Sequence, residues 1–242
     1  MSKKVTPYKD STLDKKEQVE QMFDNISEHY DGLNRVISFG IDVKWRKKVI
    51  ALATQDKPQY ALDVATGTGD LAISLAASGI KNVVGLDISA GMLDVGRTKI
   101  DHANLSDRIE MIQADSENMP FEENSFDVVT VAFGVRNFEH LKLGLAEILR
   151  VLKPGGRLVV LETSVPTKFP FKQGYQFYSK AVLPLVGKIF SKDKSAYSYL
   201  SESASAFPYG EKFNNILREI GFTNVIDKPQ TFGSASIYVA TK

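Results

Sequence analysis

Between Tyr60 and Glu162 the chain alternates short, almost wholly apolar runs with longer stretches whose apolar positions recur every three or four residues. The short runs predict strands buried on both faces, and the longer ones predict helices that bury one stripe. Tyr60–Ala65, Asn82–Asp87, Arg108–Ala114, Phe126–Phe133 and Arg157–Glu162 read as five strands. Asp70–Ala77, Ala90–His102 and Leu141–Leu152 read as the helices between them, the last stopped at Lys153-Pro154-Gly155-Gly156. Such alternation predicts an α/β fold of Rossmann-like type, with a mostly parallel sheet and helices on both faces. Ahead of it, Lys15 to Ala53 has helical spacing, with Val19, Met22, Phe23 and Ile26 on one face, up to the break at Asp56-Lys57-Pro58. After it, Phe169–Phe190 is rich in aromatics and leucine and reads as helix interrupted at Pro184. Glu211–Ile220 reads as a helix closed by Gly221. Thr223–Asp227 and Ser236–Ala240 are the last strands, expected as an antiparallel hairpin at the edge of a seven-stranded sheet.

No repeat or low-complexity linker divides the chain, so one domain is expected. Within it lie a helical leader (residues 1–55), a core (56–165) and a tail (166–242). The 242 residues are 43% hydrophobic and 24% charged, values typical of a chain with a real core. A net charge of +1 offers no general attraction to nucleic acid, so no nucleic-acid partner is expected. The chain has no cysteine, and His29, His102 and His140 show no metal-ligand spacing, so neither disulfides nor a bound metal are expected. The charged N-terminus lacks the apolar core of a signal peptide, and no run approaches the ~18 apolar residues a membrane span needs. A cytoplasmic protein is expected, at most attached to the inner face of a membrane. Oligomeric state is open, a homodimer included.

Leu62-Asp63-Val64-Ala65-Thr66-Gly67-Thr68-Gly69-Asp70 runs from an apolar strand through a glycine turn into a helix. In a doubly wound sheet, ligands sit at such strand ends, and Gly67 and Gly69 would let backbone approach one closely. A plain tight turn has the same composition. Gly67-x-Gly69-x-x-Ala72 with Asp87 formally matches the dinucleotide fingerprint as well. Against a diphosphate stands Asp70, whose carboxylate at the helix start would repel phosphate and suit a methionine-type amino group. Asp87 can accept from ribose hydroxyls, and Asp115 and Ser116, ending the third strand, can bond an adenine edge. Each acid could equally cap the next helix or turn. Acids and glycines at three consecutive strand ends together favour a nucleoside cofactor without a diphosphate.

LDVATGTGDLA, GLDIS, IQADSENMPF, SFDVVTVAFGVRNF and LRVLKPGGRLVVLE together resemble the class I S-adenosylmethionine methyltransferases. More narrowly, AFGVRNF, the leader MFDNISEHYDGLNRVISFGIDVKWR and the tail YSKAVLPLVGKIF…YLSESASAFP resemble the menaquinone/ubiquinone C-methyltransferases. That resemblance covers the chain from about Val19 onward. It implies S-adenosylmethionine as cofactor, contacted by Thr66, Asp87, Asp115 and Ser116 above the loop of Gly67 and Gly69. Some relatives carry serine where this chain has Ala132, so a hydroxyl contact is absent here. The implied reaction is methylation of a ring carbon of a prenylated quinol, demethylmenaquinol foremost, within menaquinone biosynthesis. Alternatives of different kind are a benzoquinol or other small-molecule substrate, and a cofactor sensor without catalysis.

A quinol that loses a phenolic proton gains electron density at the adjacent carbon, so its oxygen needs a cationic stabiliser and a base. Arg136 and Asn137, just past the fourth strand, fit stabilisation and orientation. Asp31 is the preferred base, with Tyr30, Asn34 and Tyr178 as other groups able to cover the pocket. The aromatic tail, with Lys168, Lys172, Lys180, Lys188, Lys192 and Lys194 interspersed, would line a prenyl tunnel, bring the opening to a membrane, or simply close the core.

Overall fold

The fold comes from a computed structural model that describes residues 5–177 and 194–242. Three helices lead: α1 (Lys15–Ile26), α2 (Tyr30–Ile37) and α3 (Ile41–Ala53). There follow β1 (Tyr60–Val64), α4 (Asp70–Ala77), β2 (Asn82–Asp87), α5 (Ala90–His102), β3 (Ile109–Gln113) and β4 (Phe126–Ala132). Then come α6 (Leu141–Val151), β5 (Leu152–Thr163), α7 (Phe171–Phe177), α8 (Lys194–Ala206), α9 (Glu211–Ile220), β6 (Thr223–Gln230) and β7 (Ala235–Thr241).

The seven strands form one sheet in the order β3-β2-β1-β4-β5-β7-β6. The first five are parallel, and β7 runs antiparallel between β5 and β6. The expected hairpin is therefore present, with its second strand inside and β6 at the edge, where Pro229 needs no outward ladder partner. Helices cover both faces. Val49, Leu71, Leu75, Leu93 and Ile100 of α3, α4 and α5 pack on one. Leu145, Ile148, Phe213 and Leu217 of α6 and α9 pack on the other. Because both faces are buried, β1 is apolar without alternation apart from Asp63.

Two elements differ from the sequence expectation. β5 begins at Leu152, five residues early: Leu152 pairs with Phe126, and the strand resumes register at Arg157 after an irregularity that takes up the Pro-Gly-Gly. Helix α8 was not expected. Its serine-rich sequence lacks apolar contrast, yet Ala196 and Tyr199 pack with Val19, Met22 and Ile26 of α1, joining tail to leader. Of the expected Phe169–Phe190 helix, Phe171–Phe177 is helical. Pro184, the leucines 183 and 185, Phe190 and the base candidate Tyr178 lie outside the described residues, as do Lys180, Lys188 and Lys192. No helix among the described residues is long and apolar enough to cross a membrane.

The sheet order reverses between β1 and β4, and both strands end in a residue with a left-handed backbone: Ala65 (φ 53°) and Phe133 (φ 59°). Non-glycine residues occupy that region at a cost of about 1–3 kcal/mol and do so most often at functional sites. The two turns touch across Gly134, where a Cβ would lie 2.5 Å from the Cβ of Ala65.

Candidate functional site

Beyond the carboxyl ends of β1, β2, β3 and β4 lies a narrow cleft of about 70 Å³. Ala65 and Gly67 of the first turn, Asp87 and Ile88, Ala114, Asp115 and Ser116, and Ala132 to Gly134 form its walls, with Asn137 beside them. Lys16, Val19 and Phe23 of α1 roof it. The structure thus brings together Gly67, Asp87, Asp115, Ser116 and Asn137.

Asp87 is buried, and burial pushes its carboxyl above the usual range, against the donors that bind it. One oxygen accepts from the Gly67 amide at 2.7 Å, the other from the Ser89 amide at 3.0 Å. Its cap-like bond to Ser89 and its place in the cleft are two uses of one side chain. Asp115 likewise accepts from the Glu117 amide at 2.9 Å and from Lys16 Nζ at 3.0 Å. That contact raises the Lys16 pKa.

Three expected contacts fall elsewhere. The Thr66 hydroxyl is buried beneath the loop and donates to Asp63 at 2.7 Å. Gly69 (φ 77°) sits at the start of α4, where left-handed backbone requires glycine, and does not line the cleft. Asp70 is paired with Lys99, which also holds Asp31 at 2.7 Å and the Thr68 hydroxyl at 3.2 Å. Asp31 and Asp70 share that one lysine, so the helix start keeps a net negative charge, but Asp70 does not line the cleft. The cleft carries the charge argument further: among the described residues, its wall has four carboxylates (Asp87, Asp115, Glu117, Glu139) against the cation Lys16. An acid-lined cleft suits hydroxyls and a cationic sulfonium nucleoside, and disfavours a diphosphate.

Asp63, under the loop, was not singled out from sequence. It accepts from Thr130 at 2.6 Å as well as from Thr66, and burial raises its pKa to about 6.

A second, largely apolar chamber of about 300 Å³ adjoins the cleft. Tyr30 and Phe133 line both. Ile37, Phe39, Ile41 and Trp45 of the leader, and Tyr175, Leu200 and Ala204 of the tail, supply its walls. Trp45 is held by its ring N–H on the Thr231 hydroxyl at 2.9 Å. Phe39 (φ 50°) turns the chain between α2 and α3, which brings α3 back across the chamber.

Arg136 and Asn137 sit in a single helical turn, Val135–Asn137, and part ways: Arg136 lines the chamber, Asn137 the cleft. The strained Phe133 turn aims one carbonyl at both, accepting from Arg136 Nη1 at 2.9 Å and Asn137 Nδ2 at 3.3 Å. The Tyr199 hydroxyl donates to Asn137 Oδ1 at 3.2 Å, and burial pushes that phenol's pKa up. Arg136 Nη1 also meets Glu162 Oε1 at 2.6 Å, with the arginine side chain 7% exposed and the glutamate fully buried. That coulombic partner helps keep the guanidinium charged against its burial. Burial of this side chain sets Arg136 apart from an arginine in a solvated surface loop.

Asp31 lines neither cavity. Its carboxylate accepts from Thr68 at 2.6 Å and from Lys99, clipping α2 to the glycine loop, so its position gives no support to it as a base. Asp42, bonded to the Ser38 hydroxyl at 2.6 Å, is the one carboxylate among the described chamber-lining residues. His140 starts α6 and bonds Glu117 at 2.9 Å.

A sequence profile described as the ubiE/COQ5 methyltransferase family matches residues 11–242. The demethylmenaquinone methyltransferase of Bacteroides fragilis is 49% identical over 241 residues, covering 99% of this chain and 98% of that one. The ubiquinone/menaquinone biosynthesis C-methyltransferase UbiE of Geobacter sulfurreducens is 43% identical over 99% of this chain and 93% of its own. In backbone alone, a SAM-dependent methyltransferase of Aquifex aeolicus superimposes with a TM-score of 0.54 at 18% identity, over 76% of this chain and 81% of that one. The acid-lined cleft thus meets a family match over nearly the whole length: the chain belongs to the ubiE/COQ5 methyltransferase family and is an S-adenosylmethionine-dependent methyltransferase.

Proposed function

We propose that the protein methylates a ring carbon of a prenylated quinol, with demethylmenaquinol, the substrate class in the name of its Bacteroides relative, as substrate. One observation carries the reading. An acid-lined cleft and an apolar chamber share the walls Tyr30 and Phe133, and a buried arginine faces the apolar side.

S-adenosylmethionine, when bound, supplies a methyl group made electrophilic by its sulfonium. In the cleft, Asp87 is the acceptor for ribose hydroxyls, Asp115 and Ser116 bond the base edge, and the Gly67 backbone lies beneath. Thr66 and Gly69 act on the loop itself, through Asp63 and the α4 start. In the chamber, Ile37, Ile41 and Trp45 exclude water from the ring and prenyl chain, with Phe39 at the exposed rim. Arg136 stabilises the phenolate as the proton leaves, because a fixed guanidinium in a dry site acts without reorganising. Asn137 orients that oxygen from the cleft side. Asp42 is better placed than Asp31 to take the phenolic proton.

The membrane side of the reading rests on exposed side chains. Phe39 (73% exposed) lines the chamber, Phe232 (67%) follows the chamber residue Thr231 and stacks on Phe171, Phe169 is 80% exposed, and Lys44, Lys47, Lys168 and Lys172 are exposed nearby in sequence. Aromatics with lysines suit peripheral contact with an anionic bilayer, the source of a prenylated substrate.

The deciding experiment incubates purified protein with methyl-labelled S-adenosylmethionine and either demethylmenaquinol or the corresponding benzoquinol, and follows label by mass spectrometry. Label on the naphthoquinol ring carbon is expected. Transfer to the benzoquinol alone would replace the substrate, and transfer to neither would refute the quinol reading.

A further inference from the structure

Arg136 and Glu162 form a buried pair in an unusual way. Buried arginine–carboxylate pairs are commonly bidentate, two parallel bonds that satisfy both partners. Here one bond joins Nη1 to Oε1, while Arg136 Nε and Glu162 Oε2 are both buried without a hydrogen-bond partner. Leaving a buried donor or acceptor unpaired costs its desolvation without the return of a hydrogen bond. A pair serving stability alone would rotate into the bidentate form.

Several bonds prevent that rotation. Glu162 Oε1 also accepts from the Thr163 amide at 2.7 Å and the Thr163 hydroxyl at 3.0 Å, which fixes the carboxylate. Arg136 Nη1 is at the same time held by the Phe133 carbonyl at 2.9 Å, presented by the left-handed turn that ends β4. The guanidinium is thus gripped at one corner, Nη1, from two directions, while the Arg136 side chain lines the chamber wall.

We propose that Glu162 is the positioning residue for Arg136: it grips the guanidinium end-on at Nη1 and so holds the arginine in the chamber wall, facing the oxygen of the phenolic substrate. This rests on the reading of Arg136 as the phenolate stabiliser. Glu162 is not itself among the chamber-lining residues, so it acts through the arginine. A phenolate oxygen fits the guanidinium as an acceptor, and the glutamate keeps the resting arginine compensated before substrate arrives. The sequence carries a trace of this: an acid closes an otherwise apolar strand, Leu158 to Leu161, at its carboxyl end.

The test measures kcat, KM for the quinol and the Kd for S-adenosylmethionine in Glu162→Gln, Arg136→Ala and the double variant. Glu162→Gln should lower kcat about tenfold or more, leaving the cofactor Kd within about twofold. In the Arg136→Ala background the same change should have no further effect. The loss should also shrink with a halogenated quinol whose phenol ionises more readily, which a merely structural residue would not produce. Equal losses in both backgrounds, or an unchanged kcat, would overturn the proposal. Wild-type turnover in Arg136→Ala would instead remove the reading of Arg136 itself. Should the Glu162 variants fail to fold, Thr163→Val, which removes one of the bonds fixing the carboxylate, decides the matter. A kcat loss of about threefold that vanishes without Arg136 supports the proposal, and no loss overturns it.

Discussion

The cleft and the chamber share two walls but solve opposite problems. In the cleft, the groups meant for a ligand are already satisfied by the chain: Asp87 by two backbone amides, Asp115 by an amide and Lys16. Around the chamber, Arg136 Nε and Glu162 Oε2 are buried without hydrogen-bond partners, and Arg46 Nε has only an ion-pair contact with Asp42 at 3.7 Å. A site whose carboxylates are prebonded keeps its shape and spends spare lone pairs on the ligand. A site with orphans gains most when substrate arrives. Removing a group should therefore damage binding on one side and turnover on the other.

The largest effect is expected from Arg136→Ala. Loss of a charge stabiliser in a dry site should lower kcat by about 100- to 1,000-fold, while calorimetry finds the cofactor affinity within about twofold of wild type. A comparable loss of cofactor affinity would erase the distinction between the two cavities.

Next is a pH effect beneath the cleft. Asp63 has its pKa raised by burial to about 6, from 3.8 in the unfolded chain. The folded state therefore holds the proton more tightly, and this residue's contribution to stability falls as pH rises from about 4 to about 6. Asp63→Asn abolishes that term. The stability of the variant relative to wild type, from urea unfolding, should improve by up to about 3 kcal/mol across that window. A relative stability that stays flat with pH would show the carboxyl to be unperturbed.

Asp87→Ala should weaken S-adenosylmethionine binding about 50-fold, because the cleft loses its acceptor and the Gly67 and Ser89 amides lose theirs. The pH optimum of turnover should stay where it was. The smallest effect belongs to the roof: Lys16→Ala frees Asp115 and should change cofactor affinity only severalfold, since the lysine is 45% exposed. A hundredfold change in calorimetry would make Lys16 part of the binding site proper.

Legibility in the sequence followed the same division. The parallel core was readable because doubly buried strands and amphipathic helices have different periods; α4, α5 and α9 begin and end where the pattern places them. Asp87 and Asp115 were findable as acids at strand ends. The chamber was far less readable, since Tyr30, Asp42, Trp45, Tyr175 and Leu200 converge from leader and tail with no fixed spacing. Asp31, one residue from Tyr30, is turned instead toward Lys99, a difference of helix face that residue type does not reveal. Nor do alanine and phenylalanine advertise the left-handed backbone of Ala65 and Phe133.

Gly134 gives the contact between those two turns a mechanical meaning. With no side chain to separate them, the turn after β1 and the turn after β4 meet within the wall of the cleft. A methyl inserted there would be a wedge, 2.9 Å from Val131 as well as against Ala65. The two turns would have to part before this stretch of cleft wall could hold any larger residue, so the close approach of β1 and β4 at their ends depends on the missing side chain.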